Sequence, residues 1–290
     1  MAVGGLRGLA ESVRITRHEN PAGKAGQVTS AHVPGDGDVP FDTSKAHMAR
    51  VYDFWLGGKD NFAVDRAVAD QVAAAYPDVR VAVRAQRAFL ARSVHYMVTQ
   101  AGIRQFLDIG TGLPSASNTH QVAQEAAPPS RVVYVDNDPI VLSHARALLT
   151  SSPEGATAYI DADLRATGTI VERAADVLDF RQPVAVMLLG ILQGIPDEEE
   201  PGKIIARLMD AVPPGSYLAI TQIAGDVAAV EVAEGVQRYN EQAAAPVAAR
   251  THPEICRFFA GLELVEPGVV QVHRWRAGAG DLGNGRDLAI

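Results

Sequence analysis

The stretch QFLDIGTGLPSASNTHQVAQ, from Gln105 to Gln124, decides the fold class of this chain. A short apolar run ends in Gly110-Thr111-Gly112, and a helical pattern follows the turn. Strand, glycine turn and helix in this order are typical of α/β proteins that bind a nucleotide. Because short glycine patterns also occur by chance, the nature of the ligand has to be inferred from the neighbouring residues.

Apolar runs with strand character alternate with helical patterns along the rest of the chain. The runs are QFLDIG, RVVYVD, ATAYIDAD, VAVMLLGIL and SYLAITQI. This alternation predicts an α/β fold with a mostly parallel sheet and helices on both faces, and right-handed crossovers make such a sheet doubly wound. The capping box Thr251-x-x-Glu254 predicts a helix that ends at Gly261. Pro267-Gly268 then separates two strands that are predicted to pair antiparallel.

Composition divides the chain into four segments. Residues 1–40 are rich in Gly, Ala, Pro and Ser and are predicted to form a flexible, poorly ordered tail. Residues 41–104 carry helical patterns, broken at Gly57-Gly58, and are predicted to form an N-terminal helical cap. Residues 105–280 hold the strand pattern, and the Gly-rich residues 281–290 are predicted to form a loose C-terminal tail.

Bulk properties exclude several classes of protein. The 290 residues carry a net charge of −8, which argues against binding a polyanion such as a nucleic acid. The single cysteine, Cys256, excludes an intrachain disulfide and a Cys-rich zinc site, and we predict no metal site. No apolar run approaches the roughly 18 residues of a membrane span, and the N-terminus lacks a signal-peptide pattern. A cytoplasmic protein with no membrane partner is therefore expected.

The residues around the glycine turn favour a cationic ligand over a dinucleotide. Ser115 stands where G-x-G-x-x-G requires its third glycine. Asp108 lies two residues before the first glycine, where a negative charge opposes a pyrophosphate but attracts an ammonium or sulfonium group. A nicotinamide-dependent oxidoreductase is therefore the disfavoured alternative.

Acids at the ends of the next two strands fit an adenosine. Asp136 is placed to accept hydrogen bonds from both ribose hydroxyls. Asn137 follows at the adenine edge, and Asp163-Leu164 are placed to pair with the adenine amine and to cover the ring. Capping of the following helix explains any one of these acids equally well, and we predict that role for Asp138 before Pro139.

Together, the runs FLDIGTG, VVYVDNDP and DADLRA resemble an S-adenosylmethionine-dependent methyltransferase with the Rossmann-like fold. More narrowly, ARVYDFWLGGKDNFAVDR and GLPSASNTHQVAQ are similar to an actinobacterial family of methyltransferases whose substrates are largely unknown. The resemblance extends from about Phe41 to Arg276. It implies S-adenosylmethionine as cofactor and a seven-stranded sheet whose last hairpin is LELVEPGVVQVHRW. The predicted cofactor contacts are Tyr52, Gly57, Gly58, Asp108, Gly110, Thr111, Gly112, Asp136, Asn137, Asp163, Leu164 and Gly190.

The motif YDFWLGGKDNF has two interpretations. A phosphate-binding loop is excluded, because Lys59 is followed by Asp60 instead of Ser or Thr and no correctly spaced glycine precedes it. We interpret the motif as a lid whose aromatic side chains and Gly57-Gly58 bend approach the ligand. The alternative is that the glycines end one helix and that Asp60 or Asn61 caps the next.

The resemblance implies methyl transfer, and the sequence limits the acceptor. The run VAVMLLGILQG lacks the [D/N/S]-P-P-[Y/F/W] element that holds a planar amine in DNA methyltransferases, which argues against a nucleic-acid base. We predict transfer to the oxygen or nitrogen of a small-molecule acceptor. Tyr52, His47, His120 and Gln193 are the polar residues considered near the acceptor, and none lies in a pattern that identifies a catalytic base.

A non-catalytic protein that binds the cofactor, as a sensor or partner subunit, is the alternative function. Members of the resembled family tend to carry a histidine where this chain has Gln193, and often an asparagine where it has Gln86. Arg84 and Arg87 share a helix face and are placed either to bind a ligand carboxylate or to pair with surface acids.

Overall fold

The computed structural model describes residues 3–5, 44–114, 117–148, 151–278 and 287–290. Within them, helices flank one mixed sheet. The strands are β1 (Val3–Gly5), β2 (Gln105–Ile109), β3 (Arg131–Asp136), β4 (Ala156–Asp161), β5 (Ala185–Leu189), β6 (Tyr217–Thr221) and β7 (Glu263–Leu264). The helices are α1 (Met48–Leu56), α2 (Ala63–Ala75), α3 (Val79–Thr99), α4 (Thr119–Ala126), α5 (Pro139–Leu148), α6 (Thr167–Ala174), α7 (Pro201–Asp210), α8 (Ala229–Asn240) and α9 (His252–Arg257). None of these helices is long and apolar enough to cross a membrane.

Strands β2 to β6 are parallel and form the centre of the sheet. The strand order is β4-β3-β2-β5-β6-β1-β7, and β1 is antiparallel to both of its neighbours. From β2 the chain adds β3 and β4 on one side, and it then returns to add β5 and β6 on the other. The order reverses between β2 and β5, which is where open α/β sheets bind their ligands. The predicted α/β fold with a parallel centre is confirmed.

Both faces of the central strands are covered. Because successive residues of a strand point to opposite faces, Phe106 belongs to the apolar cluster that includes α1 to α4 and α8, whereas Leu107 belongs to the cluster that includes α6 and α7. This double burial accounts for the continuous apolar runs in the sequence. Since one cluster joins α1, α2 and α3 to the sheet, residues 44–104 share a core with β2.

The predicted C-terminal hairpin is wrong. Glu263–Leu264 forms the short strand β7, but the second half of the predicted hairpin forms a 3-10 turn, Val272–Arg274. Trp275 is fully buried and packs edge-on against Phe89 of α3. The guanidinium of Arg92 donates hydrogen bonds to the carbonyl oxygens of Val272 and Trp275, at 2.7 and 3.0 Å. Tertiary packing therefore outweighs β-propensity in this segment, and β1 lies beside β6 instead.

The structure also departs from both predicted tails. Val3–Gly5 pair with β6 and β7 and so belong to the sheet, while the rest of residues 1–40 lies outside the described residues. At the other end, residues 288–290 are buried. The carbonyl oxygens of Ala289 and Ile290 accept hydrogen bonds from the N–H groups of Ala224 and Val272, at 3.1 and 3.0 Å. Burial removes the apolar side chains of Leu288, Ala289 and Ile290 from water, which explains why these three residues do not form a loose tail.

Candidate functional site

A cavity of about 210 Å³ lies at the carboxyl ends of β2 to β5, beside the point where the strand order reverses. Residues of α1 and α3 cover it. The predicted contacts and polar candidates that line it are His47, Tyr52, Asp108, Gly110, Thr111, Gly112, Asp136, Asn137, Asp163, Leu164, Gly190 and Gln193. Gly57, Gly58 and His120 are not among the residues that line it.

The turn after β2 has a backbone that favours glycine. Gly110 and Gly112 have φ angles of +75° and +66°, in the left-handed region that side chains disfavour. The N–H of Gly110 donates to the carbonyl oxygen of Val135 at 2.8 Å, which ties the turn to β3. A Cβ atom on Gly110 would lie 2.6 Å from Cβ of Ile191, whereas one on Gly112 would have no atom within 4 Å.

We expect Gly110→Ala to lower the free energy of unfolding more than Gly112→Ala does. Both changes impose the left-handed conformation on alanine, at about 1–2 kcal/mol. Only the first also forces a clash, with a β-carbon that cannot rotate away, which adds about 1–2 kcal/mol. Urea unfolding of both variants measures the difference. An equal loss of unfolding free energy in the two variants would mean that Ile191 does not restrict the side chain at position 110.

Asp136 is the acid at the end of β3. Its Oδ2 accepts a hydrogen bond from the Gly112 N–H at 2.8 Å, and its Oδ1 accepts one from the Asp138 N–H at 3.0 Å. Removal from water raises the pKa of this carboxyl group, and the two backbone donors and the charge of His47 oppose that rise. Each oxygen keeps a second lone pair for a ligand hydroxyl.

Asp108 is the acid before the glycine turn and is only 4% exposed. The hydroxyl of Thr119 donates to its Oδ2 at 2.6 Å. Burial raises the pKa of Asp108 to about 6, while the hydrogen bond from Thr119 and the charge of Arg87 oppose the rise. Burial deprives this carboxylate of its hydration, and its protein partners offset only part of that loss. A cationic ligand would stabilise the ionised carboxylate, so the site favours a cation.

Asp163, at the end of β4, is held by neighbours of its own. Its Oδ2 accepts a hydrogen bond from Asn137 Nδ2 at 3.1 Å, and its Oδ1 accepts one from the N–H of Arg165 at 2.8 Å. The guanidinium of Arg165 also bridges Asp163 and Glu199. Leu164 is buried beside it and forms part of the apolar cluster under the sheet.

The chain is similar to known proteins over most of its length. Residues 36–287 match the model of the S-adenosyl methyltransferase family. The chain belongs to this family. The crystal structure of a DUF574 family protein from Streptomyces avermitilis is 43% identical, covers 86% of this chain and 96% of its own, and has a TM-score of 0.83. A candidate methyltransferase from Thermobifida fusca is 41% identical, covers 84% and 91%, and has a TM-score of 0.77.

No curated protein matches the chain. The resemblance inferred from the sequence is confirmed, and with it the cofactor of the family, S-adenosylmethionine. Both similar structures come from the actinobacterial genera Streptomyces and Thermobifida, as the narrower resemblance implies.

Two of the polar candidates in this methyltransferase family member are already engaged. The hydroxyl of Tyr52 donates to the carbonyl oxygen of Val83 at 3.0 Å, and burial raises the pKa of the phenol, so this residue is not a base. His120 lies away from the cavity, where its Nδ1 is 2.8 Å from the hydroxyl of Tyr134. His47 and Gln193 do line the cavity.

The glycines of YDFWLGGKDNF serve the helix end rather than the cavity. Gly57, with φ +87°, ends α1, and a Cβ atom on Gly58 would collide with the carboxylate of Asp53. That carboxylate accepts hydrogen bonds from the N–H of Asp60 and from Nδ2 of Asn61, at 2.9 and 2.8 Å. Gly57 and Gly58 therefore lie outside the lining of the cavity that holds the other predicted contacts. Neither Asp60 nor Asn61 is the N-cap of α2, which is Phe62.

Four ionisable groups join the first two helices to the start of α5. The buried Arg50 donates from Nε to Oδ2 of Asp65 at 3.0 Å, and its Nη1 lies 3.6 Å from Oδ2 of Asp138. Nδ1 of His47 lies 3.0 Å from the same oxygen of Asp138. Burial alone would raise the pKa of Asp138, but His47 and the N–H of Ile140 hold it below its usual value. The hydrogen bond from the N–H of Ile140 to Oδ1 of Asp138, at 2.8 Å, confirms that Asp138 caps α5.

Sequence reasoning missed part of the wall. Residues 245–247, after α8, line the cavity because the chain folds back, and the N–H of Ala244 donates to the carbonyl oxygen of Ala46 at 2.9 Å. No local pattern indicates this return.

Of the two arginines placed by the sequence either to bind a ligand carboxylate or to pair with surface acids, Arg87 lines the cavity near Asp108, whereas Arg84 does not.

Proposed function

We propose that the chain is an active S-adenosylmethionine-dependent methyltransferase that methylates the oxygen or nitrogen of a small-molecule acceptor. The observation that carries the proposal is one cavity in which the buried carboxylate of Asp108 and the half-buried Asp136 flank the Gly110–Gly112 turn. When bound, the cofactor supplies an electrophilic methyl group on a sulfonium centre. A buried acid suits the cationic end of such a ligand, and an acid at the end of β3 suits its ribose.

The polar and apolar residues at the strand ends have defined roles in this proposal. Asp108 receives the ammonium end of the methionine part, and the Gly110–Gly112 backbone passes beneath the cofactor. Asp136 accepts hydrogen bonds from the ribose hydroxyls. Asn137 and Leu164 contact the adenine, where Asp163 accepts from the amine while it stays paired with Arg165. The protein then has to align the acceptor and exclude water, since methyl transfer is an in-line displacement.

A non-catalytic cofactor-binding protein is the second candidate. It is favoured by the observation that Tyr52 is fixed to Val83 and that Gln193 carries an amide, which is not a base. His47 is the remaining candidate to accept a proton from a hydroxyl acceptor, because its ring lines the cavity and Asp138 orients it.

Two measurements test the proposal. Calorimetric titration with S-adenosylmethionine, S-adenosylhomocysteine and NAD should show binding of the first two and none of NAD. Incubation with methyl-tritiated cofactor and a whole lysate of actinobacterial cells should then transfer label into compounds of low molecular weight. Binding without transfer supports the non-catalytic candidate, and label in nucleic acid would contradict the proposed acceptor.

Affinity for S-adenosylhomocysteine is expected to fall as the pH is lowered through 6. The ligand's ammonium group favours the ionised form of Asp108, whose pKa in the free protein is about 6, so protons compete with the ligand below that pH. Affinity at pH 5 should be about tenfold weaker than at pH 7. Asp136 and Arg87 are the charged neighbours that tune this transition. Calorimetry on Asp108→Asn provides the control, and an equally steep pH dependence there would contradict the assignment.

A further inference from the structure

An apolar chamber of about 80 Å³ lies between α1, α2, α3 and α8. Trp55, Val72, Val232 and Ile290 are typical of its walls. None of the described residues that line it has a charged side chain. A cavity of about 150 Å³ lined by apolar side chains holds benzene, so this chamber, at about half that volume, takes a short branched chain or the inner part of a ring.

The chamber adjoins the cofactor cavity. Both are lined by Met48, Tyr52, Gln86, Gln193, Tyr239 and Val247. A molecule in the chamber would therefore present one end to the cofactor cavity, which is the arrangement that methyl transfer between two ligands requires.

Gln193 stands at this junction with an unused hydrogen-bond acceptor. Its side chain is only 7% exposed, and its Oε1 has no hydrogen-bond partner among the described residues. Buried polar atoms are rarely left without a partner, so a bare acceptor at a cavity junction points to a donor on a ligand.

The backbone around Gln193 is fixed on both sides. The N–H of Ala248 donates to the carbonyl oxygen of Gln193 at 2.8 Å. The guanidinium of the buried Arg250 donates to the carbonyl oxygens of Leu192 and Ile195, at 2.9 and 2.6 Å. The bare acceptor therefore belongs to a turn that is held in place, and not to a loose loop.

We propose that the methyl acceptor is a neutral compound whose apolar end, a short branched chain or the inner part of a ring, enters the chamber and whose O–H or N–H donates to Oε1 of Gln193. The inference rests on the proposed function and narrows it to a substrate class. A charged acceptor is disfavoured, because no charged side chain of the lining would compensate its lost hydration. Gln193 positions the methyl acceptor, and it selects compounds that offer an O–H or N–H group to its Oε1.

Phenol and toluene test the assignment, because they share a ring size and only phenol has a donor. Both are titrated by ligand-observed NMR against protein saturated with S-adenosylhomocysteine. In Gln193→Leu the ratio of phenol to toluene affinity is expected to fall at least about tenfold. Gln86→Leu removes an amide from the same junction and serves as the matched control, in which the ratio should change less than about threefold.

A second variant tests the chamber itself. Ala82 lines the chamber but not the cofactor cavity, so Ala82→Leu should abolish binding of both probes and leave S-adenosylhomocysteine bound, which also reports a folded protein. An unchanged ratio in Gln193→Leu, or probe binding that survives in Ala82→Leu, overturns the proposal. Binding of S-adenosylhomocysteine without either probe counts against this inference alone, whereas failure to bind S-adenosylhomocysteine counts against the proposed function.

Discussion

Asp136→Ala is expected to weaken the binding of S-adenosylmethionine and S-adenosylhomocysteine at least a hundredfold. We propose that the carboxylate accepts two charge-assisted hydrogen bonds from the ribose, each worth about 1.5–3 kcal/mol, and a hundredfold corresponds to about 2.7 kcal/mol. The variant also loses the bonds that Asp136 accepts from Gly112 and Asp138, so part of the glycine turn is released. Calorimetric titration measures the affinity, and urea unfolding confirms that the variant is folded.

Two further variants separate the ligand contact from the support of the turn. Asp136→Asn keeps one carbonyl oxygen for the turn but removes the charge and the second acceptor, so its affinity should lie between those of the wild type and Asp136→Ala. Asp163→Ala removes an acid from the neighbouring strand end that is already paired with Asn137 and Arg165, and its effect should stay below about tenfold. Equal losses from Asp136→Ala and Asp163→Ala would show that Asp136 has no special role.

The sequence predicts the part of this site that depends on local order along the chain. Gly110, Asp136 and Asp163 each lie at the carboxyl end of a strand, and parallel strands bring these ends to one edge of the sheet. The positions of β2 to β6 and the helix caps at Asp138 and Thr251 follow from equally local patterns. These features need no knowledge of how distant segments pack.

What the sequence does not predict depends on distant packing. Val272 and Trp275 have the composition of a strand, but α3 offers them a buried position and Arg92 takes their carbonyl oxygens. Gly58 looks like a hinge near a ligand, whereas its small size accommodates the carboxylate of Asp53. The unpartnered Oε1 of Gln193 can be recognised only when the four helices that form the chamber are placed in space.

The same dependence on distant contacts makes Asp65 a residue whose loss should strongly destabilise the fold. Its carboxylate is fully buried and accepts hydrogen bonds from the N–H groups of His47 and Phe62 and from Nε of Arg50, at 2.9, 2.8 and 3.0 Å. Asp65 thereby satisfies the start of α2 and the approach to α1, and it compensates the buried charge of Arg50. Each of these partners would be left without an acceptor if the carboxylate were removed.

Asp65→Ala should therefore lower the free energy of unfolding by about 3–5 kcal/mol, the usual cost of breaking a buried ion pair from one side. Arg50→Met should cost less, because Asp65 then keeps its two backbone donors. Asp70, on α2 like Asp65, forms an exposed pair with Arg80 of α3 at 3.3 Å, and Asp70→Ala should cost no more than about 1 kcal/mol. Urea unfolding of the three variants gives the order directly. A cost for Asp65→Ala as small as that for Asp70→Ala would mean that the buried network does not hold the first helices to the sheet.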